Sequence, residues 1–143
     1  MTPSQRTIAI GTSLGVVVFI AYWIVVGYRA ATDGLPLNEV AWEGPMLLGL
    51  AIGGTLYAGA YFLSRYAGRG DRGVDQRDKD IARFGGARDA ELTGLAVLIT
   101  LILLALKVDT FWAANVLFTG AYLGSLSSGL VQLGAYKDGI PND

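Results

Sequence analysis

The sequence predicts an all-α integral membrane protein, a four-helix bundle with both termini in the cytoplasm, and three observations carry that prediction. Hydrophobic residues make up 52% of the 143 without counting glycine, and the mean hydropathy is +0.45; a soluble domain holds roughly 45–50% apolar residues with glycine included. The apolar residues fall into four runs separated by short polar stretches. Nine of the eleven Lys and Arg residues lie at one end of those runs, the bias that sets membrane orientation.

The first helix spans about 7–28. Residues 8–28 carry no charge, and about 20 residues at 1.5 Å each cross a hydrocarbon core of roughly 30 Å. A signal peptide beginning at Arg6 is the rival reading. Its apolar region would be only about 7–15 residues and would end on a small-residue cleavage site, which this run lacks.

Residues 29–44 form the outer connection. Asp33-Gly34 and Pro36 mark turns, and Leu35, Leu37, Val40 and Trp42 suit an interfacial segment; a docking surface for an external partner is the alternative. The second helix, 45–66, opens on Pro45, which is tolerated in a first turn because its missing N–H has no intrahelical partner. Leu92 begins the third and shortest apolar run, which ends at Leu106 before Lys107. Only residues 107–110 separate it from the fourth helix, 110–136, so the two form an antiparallel hairpin, with Asp109 or Thr110 as N-cap.

Arg6, seven basic residues within 65–88 and Lys137 flank one side of these helices, whereas Arg29 and Lys107 flank the other. The positive-inside rule therefore places both termini and the central segment 67–91 in the cytoplasm, with the chain a single 1–143 membrane domain. Tyr22, Trp23, Tyr28, Trp42, Phe111 and Trp112 at the outer level, and Tyr61, Tyr66 and Tyr136 at the inner, match the interfacial belts of membrane proteins.

Composition also excludes function classes. There is no Cys and no His, which removes disulfides, thiolate chemistry, imidazole-held metals and a histidine proton switch. A net charge of -1 lacks the basic excess of a nucleic-acid footprint. No cofactor is implied.

Within the helices, Gly11 and Gly15, Gly49 and Gly53, and Gly120, Gly124 and Ser128 are spaced four apart, each set on one helix face. Small residues let backbones approach where lipid supplies no hydrophobic push, so Gly49, Gly53, Gly120, Gly124 and Ser128 are expected to pack helices together, within one chain or between copies. Asn115, Thr119, Tyr122, Ser125, Ser127, Ser128 and Gln132 make the fourth helix the most polar, with Thr55, Tyr57 and Thr100 facing it. Interhelical hydrogen bonding explains them most simply; a polar path through Asn115, Thr119 and Gln132 is the channel or transporter reading. No charge falls in the middle of any span, and an intramembrane charge is the usual mark of an ion pathway.

The segment 65–91 holds 13 of the 23 charged residues. On a helix, Asp75 pairs with Lys79 and Asp80 with Arg83, each worth only roughly 0.2–0.5 kcal/mol. The spacing predicts one helix from Asp75 to about Lys107, its cytoplasmic turns running straight into the membrane, with Gly85-Gly86 the place for a break because each Gly costs about 1 kcal/mol. Ile81 and Phe84, three apart, put an apolar spot among Asp75, Arg77, Asp78, Lys79 and Arg88. That group is the expected docking site, for a larger membrane complex or anionic headgroups; the alternative is that Ile81 and Phe84 pack against the inner ends of the protein's own helices or a second copy. An enzyme using Asp75, Asp78 and Asp80 around Mg²⁺ is the weakest reading, because Asp80 points away from the other two and adjacent basic residues neutralise all three.

Asp75-Gln76-Arg77-Asp78-Lys79-Asp80-Ile81, a membrane hairpin, Asn115-Val116-Leu117-Phe118 and a Gln132-Leu133-Gly134-Ala135-Tyr136 exit resemble a family of small four-helix prokaryotic membrane proteins of unknown function. That family carries an Asp-Glu-Arg-Asp-x-x-Ile motif before its third helix. The resemblance spans roughly 74–139 and departs at Gln76, where the family has an acid, and at Asp80, where it more often has a neutral residue. It implies a prokaryotic inner membrane as the location, a continuous helix from motif to membrane and no activity. The residues and the resemblance together favour a non-enzymatic interaction, regulatory or accessory subunit.

Overall fold

The structure is a computed structural model that describes residues 3–67 and 76–140. It contains four helices, α1 (Pro3–Asp33), α2 (Glu43–Ala67), α3 (Gln76–Ala105) and α4 (Thr110–Asp138), and no strand among the described residues. The all-α expectation holds in the expected order. The helices run alternately up and down, so one end of the molecule carries the start of α1 and the end of α4 and the other carries the α1–α2 and α3–α4 connections.

Each helix end has a local cause. Gly34 takes a left-handed φ of 65°, and Leu35 N–H reaches back to Ala30 O at 3.2 Å, the closure that satisfies a C-terminal carbonyl when the residue after the cap is left-handed. α1 therefore runs a turn past the expected Tyr28. α2 starts at Glu43, whose carboxylate suits the positive end of the helix dipole, with Pro45 still inside the first turn. The same left-handed closure ends α3. Lys107 adopts φ 56°, its N–H donates to Leu104 O, and Val108 N–H donates to Leu103 O, both at 3.0 Å. Asp109 then caps α4, its Oδ1 accepting from Phe111 N at 2.8 Å.

α3 passes through Gly85-Gly86 without a break. The reason is tertiary: a Cβ on Gly85 would lie 2.5 Å from Cγ of Gln132 on α4, so glycine there permits close approach of two helices, and that contact holds the helix together.

Packing departs from a closed bundle. α1 packs on α2 and on α4, while α3 packs on α4 and not appreciably on α1 or α2. The helices thus lie in the order α2, α1, α4, α3, and α4 also reaches α2 through the rings of Phe118 and Tyr122 over Gly49 and Gly53. At the connection end Tyr22, Val26, Val40, Met46, Phe111 and Phe118 form the core, tightened by ring pairs such as Tyr22–Phe118 at 4.6 Å and Trp42–Phe111 at 5.7 Å, within the range favoured for aromatic contacts. The 29–44 connection belongs to this core: Val40 is buried, and Asn38 Nδ2 donates to Asp109 Oδ2 at 3.3 Å.

The outer surface is apolar. Val17, Ile24, Leu47, Leu98, Leu101 and Leu130 are each half or more exposed. Among the described residues two helices are long and apolar enough to cross a membrane, α1 over Gln5–Asp33 and α4 over Thr110–Asp138.

Candidate functional site

The α3–α4 seam sets the level of the charged residues within 76–91. From the connection end inward, Thr100 Oγ1 donates to Ala113 O at 3.4 Å, a Cβ on Gly120 would overlap Ala96, and one on Gly124 would lie 2.5 Å from Asp89 Oδ1 and 2.7 Å from Thr93 Oγ1. Gly85 then meets Gln132, and Tyr136 Oη donates to Asp78 Oδ1 at 2.7 Å. A second antiparallel register joins α4 to α1, with Tyr22 against Phe118, Phe19 against Tyr122, Gly15 against Leu126, and Thr12 against Gly129. Read together, the two registers place the α3 turn 88–91 level with 124–127 of α4 and 14–17 of α1.

At that level α1 presents Leu14 and Val17 outward, whereas α3 presents Arg88 and Glu91, paired at 2.9 Å with side chains 57% and 63% exposed. One depth of the molecule is apolar on one flank and ionic on the other. Beyond it toward the connections, Leu95, Leu98, Leu101 and Ile102 are exposed on α3. The apolar part of α3, 92–105, is about 21 Å long at 1.5 Å per residue, against a hydrocarbon core of roughly 30 Å.

The residues expected to dock a partner separate. Asp75 lies outside the described residues. Arg77 and Asp78 are tied to α4, the first donating to Tyr136 O at 3.3 Å and the second accepting from its hydroxyl. Ile81 is fully buried and Phe84 half-buried, the arrangement of the alternative in which they pack within the protein: Ile81, Gly85, Ala96 and Thr100 are the buried residues of α3 and mark its seam with α4. Lys79, Arg83, Arg88 and Glu91 remain on the outward face.

Of the small residues, Gly49, Gly53, Gly120 and Gly124 sit under side chains of neighbouring helices, and Ser128 is buried. Gly11 meets nothing within 4 Å. Gly129 also packs closely, against Thr12 of α1, although Ser125, four residues before it, is exposed. Asn115 is buried, accepting from Tyr22 Oη at 2.6 Å and donating to Phe111 O at 2.8 Å. Gln132 donates to Ser128 Oγ at 3.0 Å. Thr55 does not face α4; it is exposed and bonds back to Ala51 O at 2.7 Å. The Tyr57 side chain lies outside the described residues. Thr119 lines a groove of about 360 Å³ between α1, α3 and α4, whose other walls include Trp23, Leu95, Ile99, Trp112 and Leu123.

No protein-family model, no curated protein and no solved structure matches the chain. Geometry alone therefore carries the functional argument. Among the described residues no group of three or more acidic side chains is placed to hold a metal ion, and every buried side-chain polar atom has a hydrogen-bond partner. The buried polar side chains of α4, Asn115 and Ser128, are thus engaged with the protein itself, and the charged groups left open are those on the outward face of α3.

Proposed function

We propose that the chain is a four-span integral membrane protein of a prokaryotic cell membrane, with both termini in the cytoplasm, and that it serves as a non-enzymatic accessory or interaction subunit docking through the outward face of α3. One observation carries the reading: the Arg88–Glu91 pair is exposed level with the apolar Leu14 and Val17 of α1. A charged side chain at hydrocarbon depth is costly to leave against lipid, by roughly 2.5–3.5 kcal/mol at the centre and less toward the interface. A partner helix with matching polar groups removes that cost, and it covers Leu98 and Leu101 at the same time. The exposed apolar surfaces of α1 and α4 support the bilayer as the surrounding medium, and the resemblance of 74–139 to the four-helix prokaryotic family belongs to the same proposal.

The docking surface is accordingly Lys79, Arg83, Arg88 and Glu91 with the apolar row beyond them, and not Ile81. Purification from native membranes in mild detergent tests it. A component that co-purifies in fixed ratio with the wild type is expected to be lost from the Arg88→Ala, Glu91→Ala double variant while that variant keeps its melting temperature. Retention of the component by the double variant contradicts the assignment.

A further inference from the structure

We propose that the groove between α1, α3 and α4 is a phospholipid site, holding one acyl chain against Trp23, Leu95, Ile99, Trp112 and Leu123 with the lipid phosphate at Lys107; the inference rests on the membrane reading above. The groove exists because Ala96 and Gly120 draw α3 onto α4 while α3 stays clear of α1, leaving a furrow open to the side. Its walls are almost wholly apolar. From Trp112 to Leu123 it runs about 16 Å along α4, close to half of a hydrocarbon core of roughly 30 Å, so its length is that of one leaflet. Buried apolar chain contributes about 0.8 kcal/mol per methylene.

Charge identifies the occupant at the mouth. Lys107 stands in the α3–α4 turn, at the connection end toward which the groove runs, exposed and in no ion pair among the described residues. The only other cation at this end, Arg29, is already bonded to Ala41 O at 2.5 Å. Lys107 holds a left-handed backbone conformation, so the turn itself fixes where its ammonium begins. An apolar furrow of leaflet length with an unpaired ammonium in the turn at its connection end fits a phospholipid, whose acyl chain and phosphate match the two.

The test is titration of the delipidated protein in detergent with palmitoyl-oleoyl phosphatidylglycerol, read as the first lipid bound by native mass spectrometry. Lys107→Asn keeps a residue that tolerates the left-handed conformation but removes the charge. It is expected to weaken that first binding about fivefold, matching about 1 kcal/mol for a lysine near an anionic surface. Thr119→Trp fills the groove and is expected to abolish the site, whereas Leu130→Trp, on an exposed face elsewhere on α4, leaves it intact. Flotation with phosphatidylglycerol vesicles is scored in parallel. A chain that fails to float overturns the membrane reading. A chain that floats yet binds the lipid equally well in the wild type, Lys107→Asn and Thr119→Trp overturns the groove alone, as does a dimer that replaces the lipid complex and is lost in Thr119→Trp.

Discussion

Tyr136 Oη donates to Asp78 Oδ1 across 2.7 Å, tying the last turns of α4 to the first turn of α3. Arg77 reinforces the tie by donating to Tyr136 O. A charged, glycine-containing segment that would be marginal as an isolated helix is thereby held in register with α4, and its free face is fixed in orientation.

Tyr136→Phe removes that bond. Hydrogen bonds to charged groups contribute about 1.5–3 kcal/mol, less at a part-exposed site, so about 1 kcal/mol is expected here. Hydrogen exchange of 76–84 should accelerate several-fold while 96–105 stays protected; equal acceleration throughout α3 would show that the tie stabilises the whole helix.

The Tyr22–Asn115 bond, at 2.6 Å and buried between α1 and α4, is expected to couple the two helices by about 1 kcal/mol, in the upper part of the range for interhelical bonds in membranes. Asn115→Leu alone leaves the Tyr22 hydroxyl unpaired in the core, whereas adding Tyr22→Phe should recover much of the loss. Melting of both single variants and the double variant in detergent gives the coupling, and strict additivity would count against it.

Gly124→Leu should disrupt the fold far more than Leu123→Ala. A side chain at Gly124 runs into Asp89 and Thr93, including the Asp89 backbone carbonyl 3.0 Å from the added Cβ, while Leu123 is 48% exposed. Overpacking of this kind costs about 1–3 kcal/mol or more. Yield and size-exclusion profile measure it, and comparable behaviour of the two variants would mean that α3 does not rest on this face.

Lys107→Gly should raise thermal stability by about 1 kcal/mol, because a left-handed residue with a Cβ carries a steric cost of roughly 1–2 kcal/mol. Lys107→Val should lower it. A melting temperature unchanged in both variants would place the end of α3 elsewhere.

The helices themselves were legible in the sequence because apolar runs and their punctuation are local: Gly34, Asp109 and the four-residue turn after Leu106 are all near-neighbour signals. The length of α3 was legible too, since its charged turns lead directly into Leu92. What no local pattern contains is register. Ile81 sits three residues from Phe84 among charges and reads as a surface spot until Gly85 is seen pressed against Gln132, which puts Ile81 on the same buried stripe. Likewise, Arg88 and Glu91 read as cytoplasmic because they precede the apolar run of α3. Only the contacts of Thr93 with Gly124 and of Leu126 with Gly15 bring them level with the apolar stretch of α1.

The proposed membrane insertion, with the connections outside and the termini inside, is tested most directly by impermeant thiol labelling of intact cells. Glu39 lies in the α1–α2 connection and Lys79 in the first turns of α3, both exposed and at opposite ends of the molecule. The account predicts that Glu39→Cys is labelled in intact cells and Lys79→Cys only after permeabilisation. Labelling of Lys79→Cys in intact cells, or recovery of either variant in the soluble fraction, would contradict it.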